Sequence, residues 1–178
     1  MRTVEATHRV QLVFSLFDAD GNGYLEAADF ELMGSRVVAA VPTAADARKR
    51  ALLDAFQRYW TTLVTELDAN GDGRVSQEEF TACVLAPERF APTVDAFAEA
   101  FAGLGSLEED GLVTRPVFGG LMRGVGFQQP NIDALFDALN PTDDDRVAVD
   151  IWAEAIRDFY RPEKAGIAGD HLTAGLFG

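Results

Sequence analysis

Asp68-Ala69-Asn70-Gly71-Asp72-Gly73-Arg74-Val75-Ser76-Gln77-Glu78-Glu79 is the stretch that decides the fold. Oxygen-bearing side chains stand at its first, third, fifth, ninth and twelfth positions. Gly73, at the sixth, permits the left-handed backbone of a sharp turn. That spacing suits calcium, a hard cation that takes about six to eight oxygen ligands. Asp68, Asn70 and Asp72 supply three ligands and the Arg74 carbonyl a fourth. Ser76 acts directly or through a water, and Glu79 binds with both carboxylate oxygens. Val75, at the eighth position, is the apolar residue by which one such loop pairs with a neighbour. An acidic surface turn with a glycine would not need these identities across the whole stretch.

Working outward, the same pattern recurs at Asp18-Ala19-Asp20-Gly21-Asn22-Gly23-Tyr24-Leu25-Glu26-Ala27-Ala28-Asp29, which makes both stretches EF-hand loops. Asp18, Asp20 and Asn22 fill the early positions, Tyr24 offers its carbonyl, Glu26 is the ninth ligand and Leu25 the pairing residue. Asp29 closes the loop where glutamate is usual. Aspartate is one methylene shorter, so it binds through one oxygen or draws the exiting helix closer. Six-coordinate geometry suits magnesium, which is expected to compete at this first loop.

The apolar pairing residue and the aromatic five positions after it (Leu25 with Phe30, Val75 with Phe80) recur as Val113 with Phe118 and Val147 with Trp152. Four helix–loop–helix units follow, with further loops at Ser106–Val117 and Asn140–Ile151. Both lack an oxygen at position twelve, and Asp145 stands where the fourth loop wants glycine. These two loops are read as packing modules without calcium, and their acid runs Glu108-Glu109-Asp110 and Asp143-Asp144-Asp145 as solvated.

Helices are expected before and after each loop. Val10, Val13, Phe14 and Phe17 share one face of the first. Leu52, Leu53, Phe56, Trp60, Leu63, Val64 and Leu67 form the stripe of a long helix from about residue 44 to 66. Pro87 to Pro92 reads as the boundary between halves, with the next helix beginning at Thr93. The tail to Gly178 carries Leu172, Leu176 and Phe177, and either frays or folds back into the cleft between the halves. The expected fold is all-α and compact: four EF-hand units in two packed pairs, 1–86 with metal-competent loops and 87–178 with degenerate loops and the tail.

The chain has 178 residues, net charge −14 and 48% hydrophobic residues, with 13 Phe. The acidity argues against nucleic acid and anionic membranes and favours cations. The one cysteine, Cys83, forbids an internal disulfide and fits a reducing compartment. It reads as a core residue, because neither His8 nor His171 is placed to activate it. No apolar N-terminal region and no membrane span are readable, so a cytoplasmic protein is expected.

Four EF-hand units, the long interval between the first two loops, Asp29, the run Arg157-Asp158-Phe159-Tyr160 and the leucine-containing tail resemble the sarcoplasmic calcium-binding protein family and its calerythrin-like, actinobacterial branch. That resemblance covers nearly the whole chain. It implies two EF-hand pairs packed face to face, a tail that closes the core, and a role as calcium buffer or signal modulator. The calerythrin-like pattern has its second loop inactive, whereas here the third and fourth are.

The function expected is a non-enzymatic calcium buffer binding about two ions, with Kd of order 10⁻⁷ to 10⁻⁵ M at the second loop. Its partners are calcium ions, and a monomer is expected. A calcium sensor acting on an unknown protein partner is the alternative. Sensor grooves are rich in methionine, and this chain has only Met1, Met33 and Met122. A carrier of a hydrophobic ligand, as in the photoproteins that share this general fold, is the third reading. No Ser-His-Asp, Cys-His or phosphate-loop pattern supports catalysis.

Overall fold

The computed structural model describes residues 2–67 and 73–177. Eight helices lie among them: α1 (Val4–Phe17), α2 (Ala27–Ala39), α3 (Asp46–Leu67), α4 (Gln77–Val84), α5 (Pro87–Leu104), α6 (Arg115–Val125), α7 (Gln129–Ala138) and α8 (Val149–Phe159). Four short strands lie between the members of each helix pair: β1 (Tyr24–Leu25), β2 (Val75–Ser76), β3 (Leu112–Thr114) and β4 (Arg146–Ala148). The fold is all-α, and the four helix–loop–helix units appear at the expected places.

The helix starts follow from local chemistry. Thr3 Oγ1 accepts from the Ala6 amide at 3.0 Å, which caps α1. Ser76 and Glu79 form a reciprocal capping box at the start of α4: Ser76 Oγ accepts from the Glu79 amide, and Glu79 Oε1 from the Ser76 amide. Helix α5 begins at Pro87, earlier than Thr93, and runs through Pro92. Pro87 fills the first helical position, where its missing N–H costs nothing. Pro92 orphans the Glu88 carbonyl, but both residues are exposed and water can satisfy it.

The loops pair as the apolar positions predict. Leu25 faces Val75 in antiparallel β1–β2, and Val113 faces Val147 in β3–β4. All four residues are fully buried. Above them the aromatic side chains form one continuous core. Tyr59 stands at its centre, with ring centroids 4.8 Å from Phe90, 5.4 Å from Phe30 and 5.5 Å from Phe17. Helix α3 packs on α5 and α2 on α6, so the first two units rest on the last two.

The tail folds back. A 3₁₀ turn, Ala168–Thr173, packs on α1, α7 and α8. Arg9 of α1 is fully buried and holds it with four hydrogen bonds. The guanidinium donates to Phe159 O (2.7 Å), Asp170 Oδ1 (2.7 Å), Arg161 O (3.0 Å) and Lys164 O (3.1 Å). From the other side, Asn131 Nδ2 donates to His171 O (2.8 Å) and Ala174 O (2.9 Å). Leu172 is buried beneath them.

Candidate metal centre

The first loop wraps its backbone around its own side-chain oxygens. Asp18 Oδ2 accepts from the Gly23 amide at 2.9 Å, and Asp18 Oδ1 and Asp20 Oδ1 each accept from the Asn22 amide at 3.2 Å. Asn22 Oδ1 accepts from the Tyr24 amide, and Asp29 Oδ2 from the Glu26 amide at 2.9 Å. Gly21 and Gly23, at φ of 66° and 84°, take the left-handed conformations that this wrapping requires. The amides orient the carboxylates while leaving each with free lone pairs. Partial burial holds the Asp29 carboxyl above the usual aspartate range, against the pull of the Glu26 amide. The charges of Asp20, Asp18 and Glu26 push it the same way as burial. Acidic hard oxygens held on one loop are what a divalent cation relieves, so the donor set fits calcium. Among the described residues no three acidic, histidine or cysteine side chains are gathered closely enough to hold an ion as they stand.

Glu26 has a partner that its role as a ninth ligand did not foreshadow. Arg74 Nε lies 3.1 Å from its carboxylate, and the Arg74 guanidinium lies 5.8 Å from the Tyr24 ring centroid. Antiparallel pairing sets Tyr24 opposite Ser76, which brings position seven of one loop beside position nine of the other. The loop pattern assigns Arg74 only a carbonyl ligand; the basic side chain at that position is the signal for this pair.

In the second loop, Gly73 has φ 71°, and Ser76 and Glu79 stand in the capping box. Asp68, Asn70 and Asp72 lie outside the described residues.

The third loop keeps the shape of the first with a neutral group at its start. Buried Ser106 Oγ accepts from the Gly111 amide at 3.1 Å, as Asp18 does from Gly23. Asp110 Oδ1 accepts from the Leu112 amide, as Asn22 does from Tyr24. In the fourth loop Asp145 itself takes φ 64°, a conformation aspartate tolerates better than most residues. The acids here are not merely solvated. Arg146 pairs with Asp144 and, at 3.2 Å, with Asp110 of the third loop. Arg115 grips Asp145 through two nitrogens, at 2.7 and 3.1 Å, reaches Asp137 at 2.6 Å and covers the Phe136 ring. Guanidinium groups thus supply positive charge to the acids of the third and fourth loops. Asp144 and Asp145 are held below the usual aspartate range by hydrogen bonds from Arg146 and Arg115 respectively.

Residues 8–85 match the EF-hand domain pair family. The chain is 24% identical to calerythrin of Saccharopolyspora erythraea over 167 residues, which is 90% of this chain and 94% of that one. A Streptomyces coelicolor calcium-binding protein, described in connection with calcium-mediated regulation, superposes with a TM-score of 0.72 and 26% identity. That match covers 89% of this chain and 99% of the other. The sarcoplasmic calcium-binding protein of amphioxus shares the fold, with a TM-score of 0.64 at 18% identity over 97% and 98% of the two chains.

Paired helix–loop–helix units with oxygen-rich turns make this an EF-hand calcium-binding protein. Within that class the chain is calerythrin-like, and it shares its fold with the sarcoplasmic calcium-binding protein of amphioxus.

Proposed function

We infer that the chain is a cytoplasmic calcium buffer that takes up about two ions, one in each of its first two loops. The first ion is held by Asp18, Asp20, Asn22, the Tyr24 carbonyl, Glu26 and Asp29. The second is held by Asp68, Asn70, Asp72, the Arg74 carbonyl, Ser76 and Glu79. Residues 1–86 are the binding half and 87–178 the supporting half. Two ions raise the formal charge from −14 to −10. Binding closes the loops, and the Leu25–Val75 bridge passes the ordering of one loop to the other. Magnesium competes at the first loop, where Asp29 is too short to grip with two oxygens at the usual distance.

The observation that carries the buffer reading is the docked tail. Leu172 and the Arg9 anchor occupy the face where a sensor would receive a target helix. No helix among the described residues is long and apolar enough to cross a membrane. A sensor acting on a protein partner is the second reading, favoured by the tail's dependence on one arginine for so many of its contacts.

Apolar-dye fluorescence with and without calcium separates the two. A buffer gives little change on saturation. A large rise with calcium, accompanied by proteolytic exposure of the tail, contradicts the buffer reading and establishes the sensor.

A further inference from the structure

The bridge between the first two loops brings two opposite charges into register. Tyr24 faces Ser76 and Leu25 faces Val75, so the next step of the antiparallel ladder sets Glu26 opposite Arg74. Glu26 keeps an extended backbone there, at φ −133° and ψ 167°, before α2 begins. Strand alternation turns Leu25 and Val75 into the core and leaves Tyr24, Glu26 and Arg74 toward solvent. The Arg74 guanidinium meets both of the others. Its Nε is 3.1 Å from Glu26 Oε1, and its central carbon is 5.8 Å from the Tyr24 ring centroid.

The second pair of loops repeats the device. Arg146 holds the seventh position of the fourth loop, as Arg74 does of the second, and faces Thr114, the ninth residue of the third loop. Thr114 offers no charge, and Arg146 reaches Asp110 at 3.2 Å and Glu108 at 3.9 Å. Those are the fifth and third positions of the third loop, where the first loop has Asn22 and Asp20. In both pairs, then, the arginine at position seven of the later loop carries its charge to ligand positions of the earlier one. In the first pair that position is the ninth.

We propose that Arg74 is a resident cation that competes with the incoming ion for the Glu26 carboxylate, and so sets the affinity of the first loop from across the bridge. The inference rests on the two-site reading above, in which Glu26 is the ninth ligand of the first ion. An oxygen that accepts from a guanidinium has its charge already answered, and an ion that draws on it must weaken that contact. The same residue serves both loops, since its carbonyl is assigned to the second ion. Calcium in the second loop therefore fixes the backbone from which the competing guanidinium is presented. With side chains 55% and 40% exposed, the pair is a mild competitor. Exposed pairs shift an equilibrium by at most about fivefold, and salt screens them.

The test has a metal-free arm and a calcium arm, both on the full chain. In the metal-free chain, Glu26→Gln is expected to move the Arg74 ¹⁵Nε–Hε resonance, the signature of the pair; an unmoved resonance overturns the proposal. In the calcium arm the chain carries Glu79→Gln, so that the first loop alone fills, and its affinity is read by calorimetry against a competing chelator. Adding Arg74→Gln is expected to raise that affinity about three- to fivefold at about 0.01 M salt, and by less than about twofold at about 1 M. With Glu26→Gln also present, the gain from Arg74→Gln is expected to vanish. A gain that survives the loss of Glu26 overturns the proposal, because it would show a diffuse charge effect. So does an affinity that Arg74→Gln leaves unchanged or lowers. A first loop that takes up no calcium in the Glu79→Gln chain refutes the two-site reading itself, and this proposal with it.

Discussion

Replacing Arg9 by methionine removes the guanidinium but keeps a stem of similar length for the core. The consequences can be worked out from its four bonds. Phe159 O, Arg161 O and Lys164 O lose their donor, and the Asp170 carboxylate, already partly inside, loses its counter-charge. Breaking one side of a buried charge pair costs about 3–5 kcal/mol, mostly as the penalty on the partners left behind. For a chain of this length each kcal/mol is worth about 2–4 °C, so melting should fall by roughly 6–20 °C. Asp170→Asn keeps an acceptor for the Ile167 amide and sits nearer solvent, so its loss should be smaller, about 1–2 kcal/mol. Urea unfolding in saturating calcium, with the slope checked for constancy, measures both. A loss below about 1 kcal/mol for Arg9→Met, or the reverse order of the two variants, would refute the view that this arginine anchors the tail.

Three further outcomes follow from single sites. Gly105→Ala drives a methyl to 3.0 Å from Val113, 3.1 Å from Trp152 and 3.2 Å from Leu121, and overpacking there should cost about 1–3 kcal/mol by the same unfolding assay. Asp29→Glu restores a two-oxygen ligand to the first loop and should raise its preference for calcium over magnesium at least about tenfold, read by calorimetry in the two cations. Burial, with the Glu66 charge adding to it, lifts the Cys83 thiol to about 11, so its thiolate fraction at neutral pH lies about a hundredfold below an exposed thiol's. Native protein should therefore react with a thiol reagent at least that much more slowly than unfolded chain; equal rates would show the thiol to be accessible.

The repeat was legible because one rule, an apolar residue at loop position eight with an aromatic five later, survives where the metal ligands do not. It located the Leu25–Val75 and Val113–Val147 bridges before any contact was known. Long-range partners were not legible. Tyr59 falls outside the predicted stripe of α3 because its hydroxyl makes it look indifferent to burial, and that hydroxyl is satisfied by Tyr160 from the far end of the chain. Leu53, placed in the stripe, is 41% exposed and leans over Gly34 of α2 instead. Nothing in the sequence marks Arg9 as an anchor, since backbone carbonyls from the last helix and tail carry no signature there. Arg115 and Arg146 hid for a related reason. Pairing of the third and fourth loops brings them to acids that, read alone, are simply polar loop residues.

The central claim is that the first two loops bind ions and the last two do not. Calorimetric titration of the metal-stripped chain with calcium, in millimolar magnesium, tests it most directly. Two ions per chain are expected, falling to one in Asp18→Ala and to one in Glu79→Gln. Three or four ions, or a stoichiometry that neither substitution lowers, would contradict the assignment.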